Sequence, residues 1–517
     1  MDEIDEKTLR SRVEYLPAAA CVCVFIVVLG RCAWLCDDAF ITFRTVENFI
    51  NGHGLRWNVA ERVQSYSHPL WMFLLSGMYW VTREFYYSSI LLCSVLSVAA
   101  VVICIARLAV GPIAALLGAA LFTMSKAFVD FSVSGLENPL SHLLLVWFVC
   151  VYIQRDERPR RLLLLALIAS LILLNRMDLA LIVLPPLALA FYEQRGVKTF
   201  GLALLGFSPF IAWEIFSLVY YGSFFPNTAY AKLTHDIAQF ELVCRGLKYL
   251  LATLVHDPLT LVVLGVGVMA PFITRQRRLL PLALGAVLYV AYTLHIGGDF
   301  MLGRFLAAPF LIGVILLTRC KLTKQTGGAL ILAALIVGLG TSRTPLFSGE
   351  EYGYNLRWID EDGICDERGY YYHATGLLRV PIQQDTIRYT FADLGRRARE
   401  RGEKVVIARA VGIFGYYAGP DVHVVDEAAL TDPLLARLKP APTEKKWRAG
   451  HLYRESPEGY IETLETGVNR IADPRIAELY DKLCLITRGD LWDSARLKTI
   501  LDLNRGGLDY LLEELDS

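Results

Sequence analysis

The chain has 517 residues, 55% of them hydrophobic, and its 51 basic and 51 acidic side chains cancel to zero net charge. That balance lacks the basic surplus a nucleic-acid partner demands, and the positive mean hydropathy with repeated apolar runs describes a polytopic α-helical membrane protein with a soluble part. Eleven cysteines include Cys21, Cys23, Cys32, Cys93, Cys104 and Cys150 in or beside apolar runs, where cysteine acts as a small hydrophobe, and no CxxC spacing suggests a thiol-held zinc.

The first apolar run, 16–35, reads as an uncleaved membrane anchor, because it is long and Arg31, Trp34 and Asp37 leave no small-x-small cleavage site. Asp37 and Asp38 follow it directly. Two carboxylates at the rim of a bilayer either end a helix toward water or mark a functional site, since charge there is costly to keep. The run Pro69–Val81 is too short to cross and carries Trp71, Tyr79 and Trp80, so it is expected to be interfacial or re-entrant. Further spans are expected at 87–107, 110–125, 139–154, 162–175, 179–193, 199–220, 258–274, 280–295, 303–318 and 326–341, about 11 with the anchor.

Parity then fixes a topology. With the N-terminus cytoplasmic and Asp37 outside, the linkers Arg155–Arg161, Glu193–Lys198, Arg275–Arg278 and Arg319–Lys324 all fall inside, and each is short and basic. Counting 69–81 as a span would turn the strongest of them outward. Segments 36–86, 126–138, 175–178, 221–257, 296–302 and the tail from Ser342 are expected outside, which in a bacterium is the periplasmic or cell-wall side of the inner membrane.

The tail, 342–517, has the length of one soluble domain, with 1–341 as the membrane domain. An amphipathic helix Asp385–Arg401, a strand Lys404–Ala408, a Gly-rich turn and a strand Asp421–Val425 suggest α/β structure. Gly412, Gly415 and Gly419 miss the dinucleotide fingerprint and read as turn glycines. Asp426, Trp447 and His451, with Tyr352, Tyr354 and Tyr370–Tyr372, form either a sugar platform or ordinary core. Cys365 and Cys484 are the tail's two cysteines and could pair in an oxidising compartment.

The polar residues sort to one membrane face: Asp37, Asp38, His53, Glu61–Trp71, Glu137, Asn175–Asp178, Asn227–Lys232 and His295–Arg304. A transporter places such residues near the midplane in paired repeats, and no repeat is evident here. Chemistry at one face suggests a reaction between a lipid-carried substrate and an external acceptor.

The run DDAFITFRTVENFINGHGLRWNVAERVQSYSHPLW at 37–71 resembles the first outer loop of the GT-C glycosyltransferases, in the branch that contains the mycobacterial terminal β-arabinofuranosyltransferase. GLEN at 135–138, NRMD at 175–178, FPNTAYAK at 225–232, GGDFMLGR at 297–304, GIFGYYAGPDVHVVDEAALTDPLLAR at 412–437 and RAGH at 448–451 extend the resemblance. It implies a membrane enzyme that moves a sugar from a polyprenyl-phosphate donor to an envelope glycan, lipid or protein acceptor outside the cytoplasm, usually with inversion. A flippase for a lipid-linked sugar is the alternative.

The residues fit that chemistry. A polyprenyl-phosphate sugar is already activated, so transfer needs a base for the acceptor hydroxyl and cations for the departing phosphate. Asp38 is the expected base, with Asp37 capping the helix they open. Arg304 is the leading phosphate ligand, since Gly297 and Gly298 allow close backbone approach and a guanidinium grips phosphate with two bonds; snorkelling at a helix end is its plain alternative. Arg176 and Lys232 are further candidates, and Arg44 matches the arginine that ends the family's acid-bearing helix. Glu137 and Asp178 would orient these cations or the acceptor, or form a structural ion pair. Asn227, His68, Asp299 and His451 complete the substrate-binding candidates, with Asp299 open as a second acid or metal ligand. No cofactor is implied with certainty, and a divalent cation beside Asp38 stays open.

Overall fold

The computed structural model describes residues 13–154, 159–194, 196–341, 343–353, 357–380, 387–441 and 447–513. Ser342, Tyr354, Asp385 and most of the 155–161 linker lie outside them.

Each apolar run predicted above forms helix. Leu16–Cys32, Pro112–Met124, Asn138–Tyr152, Pro258–Ile273 and Leu280–His295 all carry proline in the first turn, where its fixed φ suits the helix and its missing N–H has no intrahelical partner to lose. The run 199–220 is two helices, Val197–Gly206 and Ser208–Tyr220. Among the described residues, Tyr86–Leu108 and Arg277–His295 are continuous helices long and apolar enough to cross a membrane, while several others are 12 to 17 residues long. Pro69–Thr82 has 14 residues, short of a crossing, and exposes Phe73, Leu74, Trp80 and Val81.

The protein divides into two compact units, but not at residue 341. One contains Met1–Cys36, Tyr86–Pro209 and Ala238–Gln384; the other contains Asp37–Phe85, Phe210–Ile237 and Asp385–Ser517. The segment 343–380 therefore groups with the apolar helices. Its bonds explain why: Cys365 exchanges backbone hydrogen bonds with Phe300 and Leu302, and the Leu377 amide donates to the Ala33 carbonyl. Cys365 and Cys484, the two cysteines that could have paired, are both free thiols.

Within the first unit the basic linkers lie together at one end of the helices. The Arg161 guanidinium donates to the Tyr152 carbonyl at 2.7 Å, the Tyr152 hydroxyl donates to the Arg278 carbonyl at 2.9 Å, and Gln276 donates to the Arg319 carbonyl at 3.4 Å. Glu193 sits 3.8 Å from Arg278 and 4.0 Å from Arg161. Arg161 here satisfies a carbonyl that the C-terminus of Asn138–Tyr152 leaves without an intrahelical partner.

The second unit holds the sheet. Val405–Ala408 and His423–Asp426 pair in parallel, Val405 opposite His423 and Ala408 opposite Asp426. A parallel pair needs a crossover, and here it is the helix Gly412–Ala418. The stretch read as a Gly-rich turn is thus helical, and the expected helix 385–401 is seen as Thr390–Glu400. Ile41, Trp57, Val411, Phe414, Val422 and Val424 form a core shared by the loop after Asp37 and the tail. From Tyr460 on the tail is helical, in Tyr460–Thr466, Pro474–Arg488, Ser494–Asn504 and Tyr510–Glu513.

Candidate functional site

The acid pair opens the helix Asp37–Ile50. Asp37 does not cap that helix. Its carboxylate oxygens accept the backbone amides of Gly412 at 3.0 Å and Ile413 at 2.8 Å, so it caps the crossover helix of the sheet instead. Burial pushes its carboxyl up to about 6, against those two amides, and the charge of Asp38 adds to the rise. Gly412 is required for this approach, because a Cβ there would stand 1.9 Å from the Asp37 carbonyl oxygen. Asp38 is half-buried beside it.

Arg44 has a different task from the one expected. It is fully buried, stacks 4.3 Å over the Trp57 ring and spends its donors on the carbonyls of Trp57 (2.9 Å), Gly415 (2.8 Å) and Val422 (2.8 Å) and on Asn58 Oδ1 (3.3 Å). Burial draws its guanidinium down to about 9. It is a clamp between the helix, the Trp57 loop and the sheet, with no fork turned toward a phosphate. Arg44→Ala would strand several buried carbonyls and should destabilise this unit by about 3 kcal/mol or more. Hydrogen exchange of the Val424 and Gly415 amides in detergent checks it; parent-like protection with a changed donor KM would return Arg44 to phosphate binding.

The other candidates of this unit are also held by the protein. Asn227 donates to the carbonyls of Ala429 (2.9 Å), Leu430 (3.2 Å) and Asp432 (3.0 Å), tying FPNTAYAK to the segment after the second strand. His68 Nε2 is 2.8 Å from the Thr42 hydroxyl. Asp426 accepts the Ala428 and Thr431 amides at 2.9 and 3.1 Å, and burial lifts it to about 7. Burial, then the charges of Arg448 and Lys232, lower His451 to about 3, so its ring is neutral at ordinary pH. Lys232 is exposed. The tyrosines proposed to share a platform with His451, Tyr352 and Tyr370–Tyr372, belong to the first unit.

In the first unit, four of the predicted residues meet. Glu137 stands at the start of Asn138–Tyr152; Arg176 and Asp178 fill the break between Pro159–Asn175 and Ala180–Glu193; Arg304 begins the turn before Ala307–Thr318. Glu137 is fully buried, and its Oε1 accepts Arg176 Nη1 at 3.0 Å and Arg304 Nη2 at 3.2 Å. Asp178 takes the other edge of Arg176, through Nε at 3.0 Å and through Nη2, and accepts the Tyr289 hydroxyl at 2.8 Å. Asn175 locks the arrangement from below, donating to the Glu137 carbonyl at 3.0 Å and to Ser141 Oγ at 2.8 Å. Arg304 also approaches Met301 Sδ at 3.4 Å. Its side chain is 12% exposed, which rules out simple snorkelling. Asp299 is buried in the preceding loop, where Gly297 and Gly298 have φ of 84° and 76°.

The arrangement places two guanidiniums around one carboxylate at the ends of three helices. Two guanidiniums so placed can offer planar, multidentate donors to an oxyanion. Among the described residues no three His, Cys, Asp or Glu side chains gather in a way that would hold a metal ion.

A second buried network was not singled out from the sequence. Lys126 pairs with Asp130 and, at 3.1 Å, with Asp366; Arg368 reaches Asp130 at 2.6 Å, and Arg343 and the Tyr352 hydroxyl reach Asp366 at 3.3 and 2.6 Å. Burial works to raise Asp366, but Lys126 and Arg368 outweigh it and hold the carboxyl below the usual range. The network fastens 343–380 to the apolar helices. Lys126 and Asp130, four apart in an otherwise apolar stretch, were the signal.

No protein-family model matches the chain. The terminal β-(1→2)-arabinofuranosyltransferase of Mycobacterium tuberculosis (strain ATCC 25618 / H37Rv) is 29% identical over 514 residues, covering 81% of this chain and 80% of the relative. The enzyme of the same name from Corynebacterium glutamicum is 27% identical over 328 residues, covering 53% of this chain and 46% of the relative. The chain is therefore similar along 81% of its length to a terminal arabinofuranosyltransferase.

Proposed function

We infer that this protein transfers an arabinofuranosyl residue, with inversion, from a polyprenyl-phosphate donor to an envelope glycan at the outer face of a bacterial plasma membrane. The observation that carries the reading is Glu137 holding Arg176 and Arg304 side by side. A departing polyprenyl phosphate needs such a grip, and its charge grows as the glycosidic bond breaks, so the donors bind the transition state more tightly than the ground state. Arg304 and Arg176 together bind the phosphate, with Arg176 clasped by Asp178 on its other edge. Asp38 removes the acceptor hydroxyl proton, and Asp37 fixes the start of their helix through Gly412 and Ile413. One base suffices because the donor already carries its leaving group, unlike an unactivated glycoside, which needs an acid as well.

Incubating the purified protein with synthetic polyprenyl-phosphate sugars tests this. The arabinofuranosyl donor should release polyprenyl phosphate in the presence of an arabinan acceptor; a different sugar released first would change the substrate, and movement of intact donor across vesicles without release would make the protein a flippase. Topology is tested separately. A reporter fused after Lys324 should behave as cytoplasmic and one at Ser517 as external, since the gathered basic linkers favour the inner side. A cytoplasmic C-terminus would overturn the outer-face assignment.

A further inference from the structure

The segment 221–257 was expected as an external connection, yet Gln239–His256 is an 18-residue helix with three distinct stripes. Leu242, Gly246, Tyr249 and Thr253 are buried. Glu241, Arg245 and Lys248 form a polar stripe, with Lys248 Nζ 2.6 Å from Asp362 Oδ1 and Arg245 donating to the Asp362 carbonyl. The third stripe is apolar and uncovered: Phe240 is 79% exposed, Leu247 48%, Leu251 59%, Leu254 47% and Val255 71%. Five large apolar side chains along one helix face are not a water-facing surface.

The ends of the helix say what covers it. At its start Gln239 donates to the His295 carbonyl at 2.8 Å, at the end of the apolar helix Leu280–His295. At its finish the chain turns by 109° through Asp257 into the apolar helix Pro258–Ile273. The helix therefore runs across the ends of two membrane helices rather than along them. Pro258–Ile273 exposes Val262, Val266 and Met269, so lipid-facing surface borders the stripe. An amphipathic helix so placed, apolar on one side and basic on the next, suits the boundary between headgroups and acyl chains.

Its buried stripe grips the loop that carries Arg304. The Tyr249 hydroxyl donates to the Met301 carbonyl at 3.1 Å and accepts the Phe305 amide at 3.3 Å, one bond on each side of Arg304. Gly246 lets the helix backbone touch the Leu294 backbone, since a Cβ there would lie 2.7 Å from it. We propose that Gln239–His256 lies in the membrane interface with the Phe240–Val255 stripe in phospholipid, and that Tyr249 is a positioning residue setting the loop 297–304 at the depth of a lipid-borne phosphate. The second half rests on the transferase reading above.

The full chain, reconstituted in phosphatidylcholine vesicles, is the test. An environment-sensitive fluorescent amino acid at position 251 should be quenched by lipids brominated near the glycerol end of the acyl chain more than by lipids brominated near the methyl end, and one at position 248 by neither. No quenching at 251, or deep quenching at both positions, overturns the interfacial placement. This readout needs no donor, so it stands apart from any failure of the transferase reading. Tyr249→Phe keeps the ring and loses both hydroxyl bonds, the one to the Met301 carbonyl and the one from the Phe305 amide. It should raise the KM for the polyprenyl-phosphate donor several-fold at little cost in kcat, with quenching of the probe at position 251 unchanged; an unaltered KM overturns the positioning role.

Discussion

Asp38→Asn should lower transfer by about 100-fold or more, the usual scale for loss of general-base catalysis. The amide keeps the size of the carboxylate and can still accept a hydrogen bond, but it takes no proton from the acceptor hydroxyl. Donor binding should survive, because the guanidiniums of Arg176 and Arg304 do not depend on it; loss of binding together with activity would point to a metal-ligand role for Asp38. Asp37→Asn makes the contrast. Its two oxygens are occupied by the Gly412 and Ile413 amides, so an amide there loses one acceptor and the effect should fall on stability of the crossover helix, about 1 kcal/mol. If Asp37→Asn abolishes transfer while Asp38→Asn retains it, the two roles are reversed. If both remain active, the proposed mechanism fails.

Arg304→Lys should reduce kcat/KM by about 10- to 100-fold, the kinetic equivalent of about 1.5–3 kcal/mol for a hydrogen bond to a charged group. Lysine keeps the charge and loses the planar fork, so the donor's phosphate loses orientation more than attraction. Glu137→Gln should behave alike, for a reason visible in the geometry: one oxygen accepts both arginines, and a neutral amide leaves two like charges with weaker restraint. Because the two changes act on one unit, the double variant should lose less than the product of the single losses. Parent-like kinetics in Arg304→Ala would pass the phosphate to Arg176.

The apolar helices were legible because hydropathy is a local property: each expected span is helical over most of its length, and the run 199–220 breaks at the single residue Phe207. Legible too were Glu137, Arg176, Asp178 and Arg304, as costly charges at the ends of apolar runs. Their partnership was not. Arg176 is 39 and Arg304 167 residues from Glu137 in the chain, and only helix packing brings them to one oxygen.

Arg44 shows the opposite failure. Its acceptors are the backbone carbonyls of Gly415 and Val422, 371 and 378 residues away, and a carbonyl has no letter in the sequence to announce it. Gly412 and Gly415 looked like turns because glycine breaks helices in isolation; in the protein they sit in one, where a Cβ would strike Asp37 or Trp57. The helix Gln239–His256 was readable in principle from the spacing of Phe240, Leu247, Leu251 and Leu254, but Glu241, Arg245 and Lys248 interleave with them and mask the period. What this sequence determined by itself was the membrane class, the position of the helices and the charges that must be functional or paired, since each follows from the transfer of local groups between water and an apolar phase. Which amides Asp37 accepts and which arginines share a partner was decided by tertiary structure alone, because directional hydrogen bonds depend on distances that chain order does not contain.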